Sequence, residues 1–152
     1  MELKTNALTY FDLGPYSRNV TTSSPDAQLW FDRGLNWLFG FNHTEAIKCF
    51  QKALKHDPEC AMAHWGISYA SGPNYNLPWV RYDPKGRQMA LSASYDAMQG
   101  ALAHAAKATP VERAMIQALT ARYPQHEAIE VHRMPQVSDG NPERGMNLGA
   151  AS

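Results

Sequence analysis

The chain has 152 residues, 44% apolar and 18% charged, which suffices for one domain with a buried core. Acidic and basic side chains balance at 14 each, so no field of one sign steers it toward nucleic acid or an anionic membrane. The N-terminus has no apolar stretch of signal-peptide length, no run approaches the ~18 apolar residues of a membrane span, and Cys49 and Cys60 are too few for a disulfide framework, which together predict a cytoplasmic protein with reduced thiols.

Residues 1–23 read as an extended leader. Tyr10, Phe11, Leu13 and Tyr16 are too apolar for a free tail, while Gly14-Pro15 and Thr21-Thr22-Ser23 are too broken for a helix, so the leader is expected to lie against the helices. Ser24-Pro25-Asp26 then supplies a cap, a proline for the first helical position and an acid at the positive end of the dipole, which predicts a helix over 25–40. One of its faces carries Trp30, Gly34, Trp37, Leu38 and Phe41, and another Phe31, Leu35, Leu38 and Phe39; a helix apolar on two faces is held between neighbours.

Asn42 followed by Glu45 resembles a capping box and opens a second helix over 43–56. Ala46, Ile47, Phe50, Ala53 and Leu54 form its apolar face, Lys48, Gln51, Lys52 and Lys55 its polar face, and Asp57-Pro58 stops it. A third helix over 60–71 ends at Gly72-Pro73 and gives way to an irregular loop to Tyr82. Asp83-Pro84 restarts the chain as a fourth helix over 84–107, with the stripe Leu91, Tyr95, Met98, Leu102, Ala105. Thr109-Pro110-Val111-Glu112 is a capping box for a fifth helix over 110–122. Residues 125–152, with scattered Pro, Gly, Asn and Ser, read as a disordered or loosely docked tail.

Trp30, Gly34, Trp37, Ala46, Phe50, Ala53 and Pro58 have the spacing of one helix–turn–helix unit of about 34 residues, and Ala61 follows Ala27 by one such period. The stretch resembles the tetratricopeptide repeat, departing from it at Arg33, where the family usually has leucine, and at Trp37, where tyrosine is usual. A second unit resembles it in part, at Ala61, Ala63, Ile67 and Ser68. The resemblance implies an all-α domain over 24–124, with about five helices arranged as antiparallel helix–turn–helix pairs stacked into a right-handed solenoid. Leu13-Gly14-Pro15-Tyr16-Ser17-Arg18, Gly40-Phe41-Asn42-His43, Cys60 to Ile67, Gly72 to Asn76 and Thr109 to Ala114 together are similar to the N-terminal part of long tetratricopeptide-like proteins of bacteria and filamentous fungi, largely without assigned activity. About three repeats are normally needed for stability. Two pairs and an unpaired fifth helix therefore suggest a chain cut short, with the fifth helix acting as a cap as the alternative.

A fold of this kind implies a scaffold with a protein, peptide or hydrophobic small-molecule partner. The first helix of each pair lines the concave groove in such arrays, which nominates Gln28, Phe31, Leu35, Trp65 and Tyr69 as groove residues. No Lys, Arg or Asn stands at those places, which disfavours a grip on an acidic peptide C-terminus. The leader's Tyr10, Phe11 and Tyr16 are candidates for filling the groove instead. In the loop, Asn74, Tyr75, Asn76 and Trp79 can form a polar pocket with aromatic walls, or serve turns and anchor the segment. His43 and His64 are candidates for a polar site, the kernel of an alternative reading as part of a solenoid enzyme completed by further repeats. No histidine pair has helical metal spacing, no phosphate loop or nucleophile elbow occurs, and no metal, cofactor or catalytic residue is expected. Met89, Met98 and Met115 read as core.

Overall fold

A computed structural model describes residues 10–126; expectations for 1–9 and for most of the tail fall outside these residues. The described chain is all-helical: α1 (Pro25–Phe39), α2 (His43–His56), α3 (Ala61–Ser71), α4 (Pro84–His104) and α5 (Pro110–Arg122). Short 3-10 turns sit at Trp79–Arg81 and Ala105–Lys107. The second of these takes the end of the stretch expected as one α-helix, because the chain tightens before Ala108.

The helix starts follow from their caps. Ser24 accepts from the Ala27 amide, Asn42 from Glu45, Asp83 from Gly86, and Thr109 and Glu112 complete a reciprocal capping box. The end of α1 is less usual. Phe41, expected on the face of α1, lies beyond its end with φ +61°. Its amide donates to Leu38 O and that of Asn42 to Trp37 O, the bond pair of a Schellman turn with phenylalanine where glycine is the common choice.

Each helix packs on its predecessor across α1, α2, α3 and α4, and α3 also touches both α1 and α5. The inner side of this arrangement is therefore built by α1, α3 and α5. At the centre Phe50 of α2 is fully buried against Phe31, with ring centroids 5.5 Å apart. Gly34 of α1 and Gly66 of α3 flank the same ring, so close that a Cβ on either would lie within 2.8 Å of it. Of the methionines, Met98 is buried and Met115 half-buried, but Met89 faces solvent and is not core.

The leader straps across the helices. Asp32 accepts from the Ser17 hydroxyl and the Arg18 amide; Gln28 accepts from the Val20 amide and donates to the Arg18 carbonyl. The Thr21 amide and hydroxyl both donate to the Glu112 carboxylate, and the Thr22 hydroxyl donates to Asp57. At its start the Tyr10 hydroxyl accepts from the Trp37 indole at 2.7 Å and meets Cys49 Sγ at 3.0 Å. Burial and the Cys49 contact push the Tyr10 pKa up to about 12, so this anchor stays a neutral phenol. Arg33 lies 4.3 Å and 4.4 Å from the Tyr10 and Trp30 ring centroids. The two departures from the repeat pattern, Arg33 and Trp37, thus both hold the leader. No helix among the described residues is long and apolar enough to cross a membrane.

Candidate functional site

One cavity of about 1070 Å³ opens on the α1, α3 and α5 side. Phe31, Leu35 and Leu38 reach it from α1, Met62, Trp65 and Tyr69 from α3, and Met115 and Arg122 from α5. The loop after α3 closes another side with Pro73, Asn74, Tyr75, Pro78, Trp79 and Val80, and Phe39, Phe41 and His43 come from the α1–α2 corner. The spacing of four and three residues on α1 and α3 aims these side chains inward, and Trp65 and Tyr69 stack at 5.2 Å.

The structure thus joins two regions that the sequence leaves separate. Phe31, Leu35, Trp65 and Tyr69 of the groove set and Asn74, Tyr75 and Trp79 of the loop set line the same cavity. Gln28 does not: its side chain is spent on the leader and on Asp32. Asn76 is not a lining residue either; its amide is tied to the Asn74 side chain and its carbonyl to Arg81. The paired histidine site is also corrected. His43 faces the cavity, with Nδ1 3.2 Å from Phe41 O. His64 is elsewhere, stacked on His104 at 5.6 Å and bonded through Nε2 to Pro58 O. Burial pushes the His64 pKa down, so the imidazole is neutral at pH 7 and donates to that carbonyl. Nor do the leader's aromatics fill the groove: Tyr10 packs edge-on against Trp30, Phe11 against Trp37 and Tyr16 against Phe39.

Two functional candidates escape sequence reasoning. Arg18, on the non-periodic leader, and Arg122, at the end of α5, are the fully charged residues of the lining, and no carboxylate is among them. The Arg122 guanidinium donates to Pro73 O at 2.6 Å and lies 4.9 Å from the Tyr69 ring, so it pins the loop to α3. The next residue, Tyr123, is fully buried with its hydroxyl pressed on Gly72, and Tyr82 bonds the Gly72 carbonyl from the other end of the loop. Burial pushes the pKa of both phenols up.

Gly72 has an ordinary extended backbone, φ −85° and ψ −171°, so alanine there is not strained. Its methyl would instead collide with the Tyr123 hydroxyl. Gly72→Ala is expected to cost about 1–2 kcal/mol and to loosen the cavity's loop wall. Denaturant unfolding together with faster amide exchange over 73–80 checks this; unchanged exchange there would remove Tyr123 as the clamp.

A second, smaller cavity of about 430 Å³ lies between the leader and the starts of α3 and α5, lined by Thr21, Asp57, Glu59, His104, Lys107 and Glu112 among others. Its charges are largely spoken for: Lys107 pairs with Glu59, Glu112 with Thr21, and Asp57 with Thr22. No group of three or more His, Cys, Asp or Glu among the described residues is placed to hold a metal ion. No protein-family model matches the chain, and neither a curated protein nor a solved structure matches it.

Proposed function

We propose that this chain is a helical binding module of tetratricopeptide type, whose pairs α1–α2 and α3–α4 stack with α5 and whose α1/α3/α5 groove takes a hydrophobic ligand. The observation that carries the reading is the size and lining of the main cavity. About 1070 Å³ is at the upper end of small-molecule sites, and such sites combine apolar and aromatic walls with a few polar groups. Phe41 supports it. A bulky residue held in the left-handed region costs of order 1 kcal/mol, and here the strain places an exposed ring, 62% accessible, at the cavity's edge. Stability alone favours glycine at that position. An enzyme built on His43 and His64 gains no support from the geometry, because only His43 faces the cavity.

Phe41→Gly separates binding from folding. It is expected to raise stability by about 0.5–1 kcal/mol, the αL strain outweighing glycine's extra unfolded-state entropy. It is also expected to weaken an apolar probe such as octan-1-ol several-fold in calorimetric titration. A wild-type chain that shows no binding of octan-1-ol would sink the proposal.

A further inference from the structure

We propose that the cavity takes a small amphipathic acid, an apolar chain or aromatic body carrying one carboxylate, and that the Arg18 guanidinium anchors the carboxylate; this rests on the apolar-groove reading above. The argument is charge complementarity. The chain as a whole is neutral, yet the lining holds two guanidiniums and no carboxylate. Asp32, which accepts from the Arg18 backbone amide, also takes the Ser17 hydroxyl and Gln28. The ion pairs among the described residues include neither arginine.

The two cations are not equivalent. Arg122 is committed to the loop through Pro73 O and stacks on Tyr69. The Arg18 guanidinium hydrogen-bonds to Met115 Sδ, at 3.4 Å. A thioether is a weak acceptor, and Arg18 is exposed, so its remaining donors at the edge of the apolar cavity are held by water that a carboxylate can displace. Met115 and Arg122 are seven residues apart on α5, about 10 Å along its axis. Because Arg122 is already held by Pro73 O and Tyr69, the carboxylate is assigned to Arg18 and the ligand's apolar body to the aromatic lining of Trp65, Tyr69 and Trp79. The leader fixes Arg18 by its backbone, through Asp32 and Gln28, so Arg18→Gln keeps the strap intact.

Titration calorimetry with octanoate and octan-1-ol tests the assignment. Octanoate is expected to bind about tenfold tighter than the alcohol at low salt, as for a hydrogen bond between charged partners, with the ratio shrinking as salt rises. Arg18→Gln is expected to bring the ratio to about one, while Arg122→Gln preserves a clear preference for the acid. Equal binding of acid and alcohol by the wild type, or a ratio untouched by Arg18→Gln, overturns the anchor and leaves the apolar-groove reading standing. Binding of neither removes both. An apolar hexapeptide that outcompetes octanoate as its free acid but not as its amide replaces the small acid with a peptide terminus, and overturns the proposal in that way.

Discussion

Phe50→Ala is expected to lower the unfolding free energy by about 3–5 kcal/mol, the range for deleting a fully buried aromatic that its surroundings do not close over. The ring is completely buried where three helices meet, and both Gly34 and Gly66 lie so near it that neither has room for a Cβ. The helix backbones at Gly34 and Gly66 resist collapse into the space left, so the cavity term adds to the lost transfer energy. The same geometry reverses an ordinary rule. Alanine in place of a mid-helix glycine normally stabilises by up to ~1 kcal/mol. Gly66→Ala would put a methyl 2.7 Å from two Phe50 ring carbons, in a ring that is fully buried and also crowded by the backbone at Gly34. Overpacking of this kind costs about 1–3 kcal/mol, so a net loss is expected. Denaturant unfolding of Gly66→Ala, Phe50→Leu and the double variant gives the coupling: the double variant should be more stable than the sum of the two losses predicts. Strict additivity would mean the ring and the glycine do not compete for the same space.

Glu112→Ala is expected to cost about 3 kcal/mol and to release the leader. Glu112 is 3% exposed as a residue, and its carboxylate accepts from the Thr21 amide and hydroxyl and from the Thr109 amide. It is at once half of the α5 capping box and the tie between α5 and the leader. Hydrogen bonds to a charged acceptor are worth about 1.5–3 kcal/mol each, and truncation leaves two amides without their partner. The acid range gives an independent check. Burial alone would raise the Glu112 pKa, but the hydrogen bonds from Thr21 and Thr109 outweigh it and hold the group below its ordinary 4.5. A carboxylate depressed in the folded state contributes stability that is fully present above the unfolded value and is lost as pH falls through the folded one. The wild type should therefore lose stability below pH 4.5 more steeply than Glu112→Gln does. Identical acid limbs in the two proteins would show that Thr21 and Thr109 do not favour the ionised form. Proteolysis within 10–23 should quicken in Glu112→Ala, and Arg18, carried on the same strap, should lose its fixed place at the cavity.

Much of the helical framework was legible because its signals are local. Ser24, Asn42, Asp83 and Thr109 announce their helices through a side chain reaching an amide three residues on, and periodicity marks which faces turn inward. The groove residues of α1 and α3 are nominated through the resemblance to tetratricopeptide arrays, in which the first helix of each pair lines the groove. Gln28 misled because a polar residue on that face has the right periodicity whether it lines a groove or ties down a leader. Phe41 misled because its strain is a backbone property, and the hydrophobic pattern counts it as one more helical aromatic. Arg18 and Arg122 carry no local signal. Their roles arise from the leader's path and from the loop folding back onto α5, through contacts separated by 97 and 49 residues.

Composition, caps and the 3.6-residue period by themselves determined that this chain is all-helical, where most of its helices start and stop, and which apolar faces must be covered. Those are properties of neighbours along the chain, where one or a few side chains decide the balance. Only the tertiary structure decided that the groove and the loop are one cavity, that His43 and His64 are apart, that the leader straps the helices rather than filling the groove, and that two arginines stand at an apolar cavity without an acid. Each of these depends on where distant segments meet, and an irregular segment such as the leader takes its path from the surface it binds, which no period within its own residues encodes.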